Sequence, residues 1–167
     1  MTEEIVPSQP ERLLLSSRRE YLDALLQVAG LAQRELRVFD ANCAELNIDS
    51  PQTYELLRVF LLRSRDNRLF LAVHDTEHIR MHCPRLLLLL RQFSDRMFIH
   101  QTQGDAARVQ DCFVLADRLH FVRRPVQAQP RATLWLYDEQ EGQGIYLRFS
   151  EIWDSSFPAV TATTSGL

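Results

Sequence analysis

QDCFVLADRLHFVRRP, residues 110–125, holds two apolar runs, Phe113–Ala116 and Leu119–Val122, with Asp117-Arg118 between them. Two short apolar runs separated by a pair of residues that includes a turn-former make the pattern of a β-hairpin. The first run has no polar residue breaking it, so it suits a strand covered on both faces, in the interior of a sheet rather than at its edge.

Working outward from the hairpin, the rest of the chain alternates. Upstream, Arg12–Ser16 is a short apolar run fit to begin a strand. Ser17 stands three residues before Glu20, the spacing of a capping box. The helix it opens carries Leu22, Leu25, Leu26, Ala29 and Ala32 on one stripe. Glu35–Asp40 (ELRVFD) reads as a strand, and Ser50-Pro51 as an N-cap with proline at the first helical position. Arg68–Asp75 (RLFLAVHD) is the clearest strand, its core Leu69–Val73 unbroken. Pro84 divides a turn or loop, 76–83, from a main helix, 84–94. Asp95–Gln101 supplies another strand. Downstream of the hairpin, Ala132–Asp138 reads as a last strand and Glu139–Gly144 as a polar turn. Ile145, Phe149, Ile152 and Trp153 then mark a closing amphipathic helix. Alternation in the first half calls for right-handed crossovers and a parallel core.

At 167 residues the chain suits one domain, long enough to bury about two thirds of its surface without staples. It is 46% hydrophobic and 25% charged, with a formal net charge of −3, so no global field draws it toward nucleic acid or an anionic membrane. All 19 basic residues are arginine. That excludes a lysine nucleophile, a Schiff base and a phosphate-loop lysine within the chain. Cys43, Cys83 and Cys112 are odd in number and widely spaced, which points to a reducing, cytoplasmic compartment. The opening MTEEIVPSQP is acidic and unlike a signal peptide. The longest pure leucine run, Leu86–Leu90, is too short to cross a bilayer, so no membrane partner is expected.

The order of elements, the run Phe113-Val114-Leu115-Ala116-Asp117 before a second strand, and a closing helix of the form Phe149-x-x-Ile152-Trp153 together resemble the phospholipase D-like superfamily, in its bacterial single-half-domain form. The resemblance implies an α/β fold over residues 12–157: a three-layer sandwich whose mixed, mostly parallel sheet has helices on both faces. Residues 1–11 and 158–167 would be disordered flanks. Members of that family carry a strand reading His-x-Lys-x-x-x-x-Asp, in which the histidine is the nucleophile and the lysine holds the phosphate. With Asp117 taken as the motif's aspartate, Gln110 stands at the histidine position and Cys112 at the lysine position. The resemblance thus implies a degenerate site with no catalytic residue and no cofactor, serving as an interaction or anion-sensing module. It also implies a homodimer, because two halves pack about a two-fold in that family. On residue chemistry alone, Asp117 reads as a turn residue bonding its own backbone, and Cys112 as a small buried hydrophobe.

Two other sets of residues compete. His74-x3-His78-x3-His82-Cys83 puts His78 and His82 on one helical face with His74 just before, the pattern of a metal-dependent hydrolase. Ser17, Arg18 and Arg19 at a helix start, with Arg123 and Arg124 after the hairpin, offer an anion-binding or nucleic-acid groove.

Overall fold

The computed structural model describes residues 9–162. In chain order the elements are strand β1 (Glu11–Leu15), helix α1 (Arg18–Leu31), β2 (Glu35–Asp40), α2 (Pro51–Arg63), β3 (Arg68–Val73), α3 (Glu77–His82), α4 (Pro84–Gln92), β4 (Met97–Thr102), β5 (Cys112–Ala116), β6 (His120–Arg124), β7 (Ala132–Leu136), α5 (Glu139–Asp154) and β8 (Ser156–Val160). A 3₁₀ turn, Gly104–Arg108, lies between β4 and β5. The strands form one sheet in the order β1-β7-β6-β5-β2-β3-β4-β8.

The hairpin is where it was expected. β5 lies inside the sheet between β6 and β2, and all five of its residues are buried. Asp117 and Arg118 both take positive φ, 54° and 58°, and Leu119 N–H closes the turn on the Ala116 carbonyl at 3.0 Å. This is the primed turn whose twist suits a two-residue hairpin, and a non-glycine residue in it carries about 1–2 kcal/mol of strain. Asp117 offsets that strain in an unexpected way. Its carboxylate does not bond its own backbone; it accepts the N–H groups of Gln33 (2.6 Å) and Arg34 (2.8 Å) from the loop before β2 and of Glu35 (2.9 Å), the first residue of β2. The turn is thereby stapled to the start of β2, and β2 runs antiparallel to β5 from Leu36↔Ala116 to Phe39↔Phe113.

The sheet is mixed, as expected, but not mostly parallel. Only β2–β3 and β3–β4 pair in parallel; the other five pairings, five of seven, are antiparallel. The helical alternation of the first half accounts for the three parallel strands. β1 was counted with them, yet it crosses the molecule to pair antiparallel with β7 at the far edge. Helices cover both faces: α1, α2 and α4 bury Tyr21, Val28, Leu61, Leu89 and Leu90 on one side. On the other, α5 packs Phe149 and Ile152 onto Phe39, Phe113, Leu115 and Phe121.

Two expectations at the ends are corrected. Glu11 begins β1, and residues 158–160 belong to β8, an edge strand antiparallel to β4 with a bulge at Ile99/His100. Pro158 is compatible with an edge strand because its missing N–H need not find a partner there. His100 helps seat β8, stacking on Trp153 at 3.6 Å between centroids and bonding the Ser156 hydroxyl at 2.9 Å. Of the remaining flank residues, Gln9, Pro10, Thr161 and Ala162 belong to no strand or helix, and 1–8 and 163–167 lie outside the described residues.

Glu139–Gly144, read as a turn, forms the first turns of α5. Asp138 caps the helix by accepting Glu141 N–H at 3.0 Å. The glycine at 142 answers to packing: a β-carbon there would stand 2.0 Å from the Arg118 carbonyl oxygen, whereas one at Gly144 would meet nothing within 4 Å. Gly144→Ala should therefore stabilise the protein by up to about 1 kcal/mol through helix propensity. Gly142→Ala should destabilise it by about 1–3 kcal/mol despite the same propensity gain. Urea denaturation of the two variants checks this, and equal shifts would refute the close approach.

Candidate functional site

In an open α/β sheet, ligands bind beyond the carboxyl ends of the parallel strands where the strand order reverses. Here that place is the boundary of β2 with β3 on one side and β5 on the other. β2 ends in Asp40, β3 runs into His74, β5 is entered from Gln110 and Asp111, and β6 leaves through Arg123 and Arg124. A groove of about 520 Å³ opens there, lined by Glu45, His74, Arg108, Val109, Gln110 and Gln127, among others.

The two positions where the resembled motif would hold its chemistry have parted company. Gln110 is exposed on the groove wall and its carbonyl accepts Gln127 N–H at 2.9 Å. Cys112 is buried beneath, its Sγ 3.5 Å from the Tyr21 hydroxyl. Burial, and then the nearby Asp40, push its thiol up to about 12, so at neutral pH it is protonated and poorly nucleophilic. Cys43 and Cys83 are likewise buried, and desolvation lifts Cys83 to about 11.

Directly across the hairpin from Cys112 is Arg124, its register partner, so both side chains lie on the α1 face. Arg124 is only 4% exposed. Its Nη1 donates to the Gln127 carbonyl at 3.0 Å and lies 3.6 Å from Glu45. Its guanidinium carbon sits 4.2 Å over the Tyr21 ring. Its Nε is buried with no hydrogen-bond partner among the described residues. A positive charge thus lies under the groove floor, supplied by the strand next to the one the motif would use. Glu45 answers it from the loop after β2, and also lies 3.9 Å from Arg18.

The arginines expected to act together are divided. Arg123 alternates to the opposite face from Arg124. There it donates to buried Asp111 at 3.0 Å, and Arg148 from α5 grips the same carboxylate through two bonds of 2.9 and 2.7 Å. Ser17 caps α1 by accepting Glu20 N–H at 3.1 Å, and the Glu20 carboxylate accepts the Ser17 hydroxyl at 2.9 Å. The helix start therefore holds its own anion. Arg19 is exposed and stands apart from the groove lining.

The histidines also separate. His74 Nε2 lies 2.8 Å from the Val109 carbonyl, which can only accept, so Nε2 carries the proton and Nδ1 accepts the Thr102 hydroxyl at 2.6 Å. His78 and His82 are neighbours on α3, their rings tilted by 42° with centroids 5.2 Å apart. Among the described residues no group of three His, Cys, Asp or Glu side chains is placed to hold a metal ion.

Asp40, Tyr21, Glu45 and the Asp111–Arg148 pair were not singled out from sequence. Asp40 carried a usable signal, as an acidic residue at the carboxyl end of a strand in the parallel core. Tyr21 and Arg148 sit among apolar residues on amphipathic helices and give no such sign.

A protein-family model described as "Domain of unknown function (DUF7931)" matches residues 17–162. No curated protein sequence matches the chain. Among solved structures, the chain is similar to Nuc from Salmonella typhimurium, described as a phospholipase D family member. That match has a TM-score of 0.61 at 8% identity and covers 92% of this chain and 100% of that one. NucT from Helicobacter pylori matches with a TM-score of 0.60 at 9% identity, over 90% of this chain and 100% of that one. TrmBL2, an archaeal chromatin protein whose structure is described as showing a novel mode of DNA binding, matches with a TM-score of 0.65 at 9% identity, over 93% of this chain and 57% of that one. The fold is phospholipase D-like.

Asp40 makes the site's electrostatics measurable. It accepts Cys43 N–H at 2.8 Å and Asn42 N–H at 3.2 Å, but burial outweighs these bonds and Arg124, and raises its pKa above the ordinary carboxylate value. Between the ordinary value, about 3.9, and the raised one, the native state holds a proton that the unfolded chain has released. Asp40's contribution to stability therefore falls as pH rises through that window. Measured by urea unfolding, the wild type should lose stability relative to Asp40→Asn as pH climbs above the ordinary carboxylate value. A difference that stays constant with pH would contradict this.

Proposed function

Because the chain belongs to the family described as "Domain of unknown function (DUF7931)" and has a phospholipase D-like fold, we propose that it is a non-catalytic module that senses a phosphate-bearing anion at the groove over Arg124. The observation that carries this reading is the pairing of Cys112 with Arg124: the cation is present at the site, one strand over, while the nucleophile position holds glutamine. An amide side chain cannot attack phosphorus, and His74, the histidine of the groove, already has both ring nitrogens engaged. Glu45 occupies the place of a resident anion, 3.6 Å from Arg124 and 3.9 Å from Arg18. An incoming phosphate would displace that carboxylate, and its loop would move with it. The metal-hydrolase reading has no such support, because both ring nitrogens of His74 are taken up by Thr102 and Val109, and no three potential ligands come together among the described residues.

The probe for this is inorganic phosphate, titrated calorimetrically into the full chain. Binding should be saturable and weaken with salt. Arg124→Gln should reduce affinity by about tenfold or more, as expected for losing a charge-assisted bond. Glu45→Gln should raise affinity, since the internal competitor loses its charge. Parallel titrations with a short single-stranded oligonucleotide and with phosphatidylglycerol vesicles would separate a nucleic-acid source of the phosphate from a lipid one. Phosphate binding unmoved by either substitution, or steady hydrolysis of bis(p-nitrophenyl) phosphate, would overturn the proposal.

A specific observation also favours self-association. Leu13 and Leu14 of the edge strand β1 are 57% and 69% exposed, an apolar pair on a strand edge that no other strand among the described residues covers. Association through β1 should make the sedimentation coefficient concentration-dependent, and Leu14→Arg should hold the protein at monomer mass. A wild type that stays monomeric at every concentration would end this reading.

A further inference from the structure

A second cavity lies away from the groove, between α1 and α2 and above β2 and β3. Its volume is about 160 Å³, and Leu25, Ala29, Val38, Ile48, Leu57 and Leu71 are among the side chains that line it. Protein interiors are close-packed, and voids much larger than a water molecule are few. Leu26, Ala29 and Leu46 in its wall are only half-buried, so the space opens to solvent along one side and apolar wall is left facing water there. Water is a poor filler, because an ordered water needs about two to four polar partners. The cavity offers few. Ser50 and Thr53 are turned to the α2 cap, where the Ser50 hydroxyl accepts Thr53 N–H at 3.1 Å and donates to the Thr53 hydroxyl at 2.9 Å. Asn47 and Gln52 are exposed at the rim, and no charged side chain lines the cavity.

The wall is also shaped rather than merely loose. Along α1 the facing stripe reads Leu22, Leu25, Leu26 and then Ala29, so the residue that would plug the space is cut back to a methyl group. Asn47 adopts φ of 51°, in the left-handed region, which turns the loop between β2 and α2 over the opening.

We infer that this cavity binds a small neutral molecule with an aliphatic or aromatic body of about benzene's size, any polar end lying uncharged at the Asn47–Gln52 rim. The inference does not rest on the anion reading, since no charged residue lines the cavity, although one loop carries Glu45 to the groove and Leu46 and Asn47 to the cavity wall.

The test uses the full chain with benzene as probe and benzoate, its charged counterpart, as comparison. Benzene should raise the thermal midpoint and shift the methyl resonances of Leu25, Leu57 and Leu71, while benzoate at the same concentration should leave both unchanged. Ala29→Leu should fill the space and weaken benzene binding by about tenfold or more. Absent methyl shifts, shifts confined to methyl groups elsewhere, or an undiminished response in Ala29→Leu would overturn the assignment. Should Ala29→Leu fail to fold, the position of the methyl shifts in the wild type decides by itself.

Discussion

A single carboxylate holds the two halves of this sheet in register. Asp117 takes the N–H groups of Gln33, Arg34 and Glu35, three donors that would otherwise be left over where α1 gives way to β2. A carboxylate bonded to several backbone amides is among the stronger polar arrangements available, because each bond is charge-assisted. It also tolerates no slip: a one-residue shift of β2 against β5 would turn every side chain to the wrong face. The parallel strands β2, β3 and β4 and the antiparallel strands β5, β6, β7 and β1 meet along this seam. Arg118, next in the turn, adds its own fastening by lying 3.5 Å over the Tyr146 ring of α5. Helix, turn and seam are thus locked together at one end of the molecule, and the groove opens toward the other.

At the groove the chemistry follows from where charge is buried. A phosphoryl-transfer site needs a nucleophile free to move a proton and a cation free to meet the substrate. Here the acidic and basic groups already answer one another: Asp111 with Arg123 and Arg148, Glu45 with Arg18 and Arg124. The first network is tight, with bonds near 3 Å around a buried carboxylate. The second is looser, its distances 3.6 and 3.9 Å, and one arginine nitrogen in it has no partner among the described residues. Exchange of one anion for another is far easier in the second than in the first.

Much of the scaffold was legible in the sequence. Glu35–Asp40 was read with the boundaries it has, and Arg68–Asp75 overran β3 by only two residues, because unbroken apolar runs between polar stops leave little room for another reading. What failed depended on contacts distant in the chain. Nothing in Arg12–Ser16 says that its partner is Ala132–Leu136, so β1 was assigned to the wrong half of the sheet. Gly142 looked like turn chemistry, while its cause is the Arg118 carbonyl on another element. The histidines of 74–83 share a helical spacing, but His74 belongs to the strand end and follows the strand's geometry. Asp117 was placed in the right turn and given the wrong partners. Cys112 was set at the lysine position of the resembled motif by spacing alone, while the charge of Arg124 across from it needs the strand register to be seen.

The two rims of the sheet are not alike. On the β8 side, Pro158 and the bulge at Ile99/His100 spoil the regular row of amides that a further strand would need. On the β1 side, Glu11–Leu15 carries no proline and no bulge. Growth into filaments would need both rims to pair, and the proline that looked like the start of a tail leaves the β8 rim the poorer template for it.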